Sequence, residues 1–155
     1  MISDFEVVTR LFAALVLSGL VGLEREVSGR AAGFRTHILV CVGSTLIMLT
    51  SIYLFEAYRS TGAGIDPGRV AAQVVSGIGF LGAGTIIQVR DAIRGLTTAA
   101  SLWVAAGIGL AVGTGFYVGA IAATAMVLIV LFLLSRLERH VVKSKRQEQE
   151  LKEDV

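Results

Sequence analysis

The sequence predicts an all-α polytopic membrane protein with five transmembrane helices, its N-terminus outside and its C-terminus in the cytoplasm. Three observations carry this expectation. Of the 155 residues, 54% are hydrophobic and 17% are charged, against about 25% charged in an ordinary soluble domain. The apolar residues gather in runs of the length that crosses a bilayer's hydrocarbon core, about 20 residues each. The Lys and Arg residues fall between those runs and mostly on one side of them.

The first run covers residues 5–23 and contains Arg10. Glu6 stands one helical turn earlier, so the two can pair on one face while the Arg10 head reaches outward to water. No Lys or Arg precedes the run and Asp4 does, which favours a retained helix over a cleaved signal peptide. The second run, residues 36–55, has no formal charge, and the third covers residues 70–89. The fourth, residues 97–112, is short, and only residues 113–115 separate it from the fifth, residues 116–135; the pair predicts a tight antiparallel hairpin. Read as one long bent span, residues 97–135 would instead put the C-terminus on the other side. Residues 1–135 then form the membrane domain. Residues 136–155 form a charged cytoplasmic tail, loosely helical in period and attracted to anionic lipid.

Eleven basic residues lie on one side of these spans: Arg25, Arg30 and Arg35 after the first, Arg90 and Arg94 after the third, and six in the tail. The opposite side has only Arg59 and Arg69. The positive-inside rule makes the richer side cytoplasmic.

Composition also excludes whole classes of function. The single cysteine, Cys41, cannot form an internal disulfide, and no Cys/His group has metal-ligand spacing. A net charge of +2 dispersed between apolar runs gives no basic face for nucleic acid. No Gly-Lys-Ser/Thr follows the glycines, no nucleophile–base pair is visible, and His37 and His140 have no catalytic partner. The chain is therefore not expected to be an enzyme or to hold a metal or cofactor. Spans two to five have no Asp or Glu at their centres. Mg²⁺ binds through carboxylates and proton relays run through Asp, Glu or His, so an ion path inside one chain is poorly supported.

The spans are rich in glycine instead. The third holds Gln73, Ser76, Gly77, Gly79, Gly82 and Gly84, and the last two hold Gly109/Gly113 and Gly115/Gly119 at four-residue spacing. In lipid, small residues let helix backbones approach closely, and close packing is the first reading. The sharper one is a broken or re-entrant helix over residues 77–84, with Gln73, Ser76, Thr85 and Gln88 lining a polar cavity. Trp103 stands well inside the fourth span and is expected to pack against glycines.

Two span entrances on the basic side resemble each other. Gly33-Phe34-Arg35-Thr36 opens the second, and Arg94-Gly95-Leu96-Thr97-Thr98 the fourth. Each sets an Arg beside a Thr suited to N-capping, where a helix favours anions. Glu24, Arg25 and Glu26 lie at the same membrane face. One reading is positive-inside anchoring at lipid headgroups. The other is a buried cluster, Glu24 with Arg35 or Arg94 and Asp91 as second carboxylate, that fixes the helices or receives an anionic partner group.

Taken together, Gly22-Leu23-Glu24-Arg25-Glu26 with Ala32-Gly33-Phe34-Arg35-Thr36, the stretch 69–84, and Ile93-Arg94-Gly95-Leu96-Thr97-Thr98 running on to Trp103 resemble the MgtC/SapB family of bacterial inner-membrane proteins. The resemblance covers roughly residues 10–120, in order and with similar spacing. It implies adaptation to low Mg²⁺ or to acid, a part in virulence, and restraint of the F-type ATP synthase through that complex's membrane part; Mg²⁺ transport is also attached to the family. Many members add a cytoplasmic domain of ACT-like fold, whose functions are not expected here because only residues 136–155 follow the last span. Thr97 stands where some members have Asn, which leaves a side-chain amide role there unsupported. The expected partners are the lipid bilayer, an ATP synthase membrane subunit and further copies of the chain. The leading reading is a regulator acting by helix-to-helix contact, and the alternative is a Mg²⁺ or proton conduit assembled from several copies.

Overall fold

A computed structural model describes residues 2–61, 64, 66–90 and 92–134. Among these residues five α-helices follow one another: α1 (Asp4–Val27), α2 (Phe34–Tyr58), α3 (Pro67–Ala83), α4 (Leu96–Thr114) and α5 (Tyr117–Ile129). A short 3-10 turn, Arg59–Thr61, extends α2, and a π-helical turn, Val130–Leu134, extends α5. Between α3 and α4 lies an antiparallel hairpin, β1 (Ile87–Val89) with β2 (Ala92–Arg94), in which Ile87 faces Arg94 and Val89 faces Ala92.

Local chemistry sets the ends of these elements. The Ser3 hydroxyl accepts the Glu6 N–H at 3.2 Å, and Asp4 and Glu6 sit in the first turn of α1, where carboxylates suit the helix dipole. Asp66 caps α3 by accepting the Gly68 N–H at 2.8 Å, and Pro67 takes the first helical position, where its missing N–H costs nothing. The α4–α5 turn is as tight as the sequence predicts. Gly115 adopts φ +84° and Phe116 returns its N–H to the Ala111 carbonyl at 2.8 Å.

Among the described residues three helices, α1, α2 and α4, are long and apolar enough to cross a membrane. With 17 residues, α3 rises about 26 Å, slightly less than a typical hydrocarbon core, and α5 is shorter still within the described residues. α2 lies at the centre, against α1, α3 and α4. Arg10 near the start of α1 meets the end of α4, and His37 near the start of α2 meets Ser101 near the start of α4. α1 therefore runs antiparallel to both α2 and α4.

The core is made of small and medium side chains: Ala14, Cys41, Ile108, Val112 and Ala120. Backbones come close where a side chain would not fit. A Cβ on Gly22 would lie 2.8 Å from Phe34 Cα, and one on Gly113 would lie 2.7 Å from Met48 Cβ. A Cβ on Gly109 would overlap the Cys41 carbonyl oxygen, and the Gly109 carbonyl lies 2.8 Å from the Thr45 hydroxyl. The outer surface is the reverse, with Phe5, Phe12, Leu39, Phe80 and Val118 exposed. That much exposed apolar surface is a liability in water and a solvation shell in lipid.

Three expectations need correction here. The third span does not run to Val89: α3 ends at Ala83, and residues 87–94 form the hairpin. Thr85, Ile86, Ile87 and Val89 continue the apolar run, but β-branched residues suit a strand, and Arg90 at φ +51° turns the chain. The broken-helix reading fails as well, because α3 continues through Gly77, Gly79 and Gly82 and stops only at Gly84. Arg10 does not reach out to water. It is buried, pairs with Glu6 as expected, and donates from Nη1 to the Gly113 carbonyl at 2.6 Å. A buried guanidinium does better on the unsatisfied carbonyls at a helix C-terminus than unpaired.

Candidate functional site

The end of α1, the starts of α2 and α4, and the hairpin meet at one end of the bundle, where most of the candidate polar residues lie. Arg25 is 3% exposed there. Its Nη1 lies 3.7 Å from Glu24 Oε2, beyond hydrogen-bond reach, and its Nε and Nη2 have no hydrogen-bond partner. Glu24 uses its other oxygen to accept the Ser28 hydroxyl at 2.7 Å. Glu26 Oε2 accepts the Phe34 N–H at 2.9 Å and so covers the first turn of α2. His37 is fully buried; Nδ1 faces the Gly33 carbonyl at 2.9 Å and Nε2 faces the Ser101 hydroxyl at 3.0 Å. A carbonyl can only accept, so Nδ1 carries a proton.

The predicted cluster is divided between two pockets. Arg25, Arg94, Thr97 and Thr98 line one of about 470 Å³, together with Arg30 and Gly95. Arg35 and Thr36 line another of about 580 Å³, together with Glu26, Gly33 and Phe34. Glu24 pairs with neither Arg35 nor Arg94 as expected; its partner is the adjacent Arg25. Residues two apart on a helix face different ways, and Glu26 is the carboxylate that points to the start of α2. Nor do the threonines cap. Gly33 and Gly95 hold the N-cap positions without a side-chain cap bond, and Thr36 and Thr97 lie inside their helices. A Cβ on Gly95, at φ +91°, would overlap the Thr85 carbonyl, so only glycine fits there. Asp91 and residues 135–155 lie outside the described residues.

The intramembrane set is dispersed along α3 and α4. Gln73, Ser76, Gly77 and Gly79 are exposed on α3, and a Cβ on Gly77 or Gly79 would meet nothing within 4 Å. These two glycines do not pack within the chain. Gly82 does, with its Cβ position 3.5 Å from that of Ala99. Gly84 follows the last residue of α3. Gln73 and Gly77 border an apolar groove of about 390 Å³ between α2 and α3. Trp103 is 54% exposed on the outside of α4 rather than packed against glycines; an indole on the lipid side costs nothing that burial would repay. Among the described residues, no three His, Cys, Asp or Glu side chains converge to hold a metal ion.

Arg30, Glu26 and His37 do not stand out as site residues in the sequence: His37 meets Ser101, 64 residues away, Glu26 meets the Phe34 N–H only once α1 and α2 fold together, and Arg30 reaches the site by lining its pocket. The one available signal was Arg10, a charge inside an apolar run, which is costly unless paired.

Three helices long and apolar enough to span among the described residues, an apolar outer surface and charges gathered at helix ends are the features of a polytopic membrane protein. The chain belongs to the MgtC family, whose family model matches residues 11–140. It is 45% identical over 133 residues to YhiD of Escherichia coli (strain K12), named there as a candidate magnesium transporter, covering 85% of this chain and 62% of YhiD. It is 45% identical over 130 residues to the protein MgtC of Salmonella typhimurium (strain LT2), covering 84% of this chain and 53% of that protein. An uncharacterized protein of Haemophilus influenzae is 42% identical over 142 residues, covering 90% of this chain and 60% of its own length. The chain thus spans between half and two thirds of these relatives. No solved structure matches it.

Proposed function

We propose that this chain is a non-enzymatic regulatory protein of the bacterial inner membrane, adapting cells to low Mg²⁺ or acid stress and serving virulence where the host is a pathogen. It acts by helix-to-helix contact with a membrane complex such as the membrane part of the F-type ATP synthase. Its five helices cross the bilayer with the N-terminus outside.

One observation carries this reading, the open space around α3. Gly77 and Gly79 face different ways from that helix, and both are exposed with free space above them. Each helical glycine costs about 1 kcal/mol relative to alanine. At Gly109 and Gly113 the return is close contact with α2; at Gly77 and Gly79 this chain supplies no such contact, and a helix from outside it would. Replacing Gly79 by Leu should leave the fold intact and block that approach. In cells short of Mg²⁺, Gly79→Leu at wild-type protein level should lose the effect on growth and ATP level. Full effect at normal abundance would contradict the reading.

A second reading has one observation in its favour. Gln73 and Ser76 share the same exposed face of α3, so several copies could assemble a polar path, in keeping with the name given to YhiD. The absence of central carboxylates from the sequence of spans two to five weighs against Mg²⁺ passage.

A further inference from the structure

Arg25 is the most anomalous side chain in the bundle. A buried cation is normally paired and fully hydrogen-bonded, since an unpaired one forfeits its hydration for nothing. Here Glu24 approaches only to 3.7 Å and two of the three guanidinium nitrogens have no partner. The same side chain lines the pocket of about 470 Å³ at the start of α4, beside Arg30 and Arg94. That helix opens at Gly95 with no side-chain cap, so its first N–H groups are available to an acceptor. Among the described residues no carboxylate lines this pocket.

We propose that the pocket is a phosphate-binding site, with Arg25 as its buried base, Arg30 and Arg94 as its rim and the first turn of α4 as its backbone contribution. The shared chemistry is a phosphate group, carried either by an anionic phospholipid headgroup or by a free phosphate. Three guanidinium forks and a fan of N–H groups offer more donors than the two oxygens of a carboxylate accept, and phosphate supplies three or four. A helix N-terminus beside an Arg is a recurrent seat for that group. The volume lies in the range of small-molecule sites, so the phosphate has room to carry a larger substituent. Helix-to-helix contact through α3 involves none of these residues, and the two ideas stand or fall separately.

The test uses the purified full chain in a neutral detergent at constant ionic strength, with native mass spectrometry counting bound molecules. The probes are inorganic phosphate and phosphatidylglycerol, and diacylglycerol, which has no phosphate, is the control. One molecule of at least one probe should bind per chain, and diacylglycerol should not. Binding by inorganic phosphate identifies a free phosphate as sufficient; binding by phosphatidylglycerol alone identifies the lipid headgroup. The double variant Arg30→Gln, Arg94→Gln changes two exposed side chains and keeps the packing, and it should weaken binding about tenfold or more. Neither probe binding above diacylglycerol, or undiminished binding by the double variant, would overturn the proposal.

Discussion

Gly107 and Gly109 stand two residues apart on α4, yet alanine should act in opposite directions at the two. A Cβ on Gly107 meets nothing within 4 Å, so Gly107→Ala only removes backbone freedom and should stabilise by about 0.5–1 kcal/mol. A Cβ on Gly109 would overlap the Cys41 carbonyl oxygen and lie 2.9 Å from Ser44 Cβ. Carbon contacts are optimal near 3.5–4.0 Å, and a backbone carbonyl cannot swing aside as a side-chain tip can. Overpacking costs about 1–3 kcal/mol, and moving the helices apart would also strain the 2.8 Å contact between the Thr45 hydroxyl and the Gly109 carbonyl. At the upper end of that range, less the gain in helix propensity, Gly109→Ala should lose about 2 kcal/mol. The two variants would then differ by about 2.5–3 kcal/mol, on the order of a hundredfold in the unfolding constant. Equilibrium unfolding in mixed micelles, titrated with sodium dodecyl sulfate and followed by circular dichroism, reads this difference directly. A Gly109→Ala variant as stable as Gly107→Ala would refute the close α2–α4 contact.

Two further outcomes follow from the same geometry. Arg10→Gln removes the charged donor from the Gly113 carbonyl and should cost about 1.5–3 kcal/mol in the same titration. Glu6→Gln, at a half-exposed side chain, should cost less than half as much; an unchanged midpoint for Arg10→Gln would show that the buried guanidinium does not join α1 to α4. For topology, alkaline phosphatase fused after Asp66 should be active and after Lys145 inactive, and activity at both points or at neither would reject the outside N-terminus with five spans.

The helices are legible because each lies in an apolar run, three of them long enough to cross a bilayer, and the α4–α5 turn because Gly115 breaks one. The end of α3 is not, since residues 85–89 prolong the apolar pattern and only the conformation of Arg90 and the clash-free Gly95 reveal a hairpin. Arg25, Arg94, Thr97 and Thr98 come together at one pocket. Arg35 and Thr36 went to a second pocket, because helical direction separates Glu24 from Glu26 and so decides which helix start each carboxylate serves. Glycine was the least informative residue in sequence terms. Gly109 and Gly113 meet α2, whereas Gly77, Gly79 and Gly107 meet nothing, and which face of a helix is covered depends on neighbours that periodicity does not name.

Action by helix contact and ion passage are separated by Mg²⁺ flux into liposomes containing only this protein, read with an entrapped Mg²⁺ indicator. Uptake should be no greater than in empty liposomes at every external Mg²⁺ concentration. Saturable uptake that scales with the amount of protein would contradict action by helix contact and establish the conduit reading in its place.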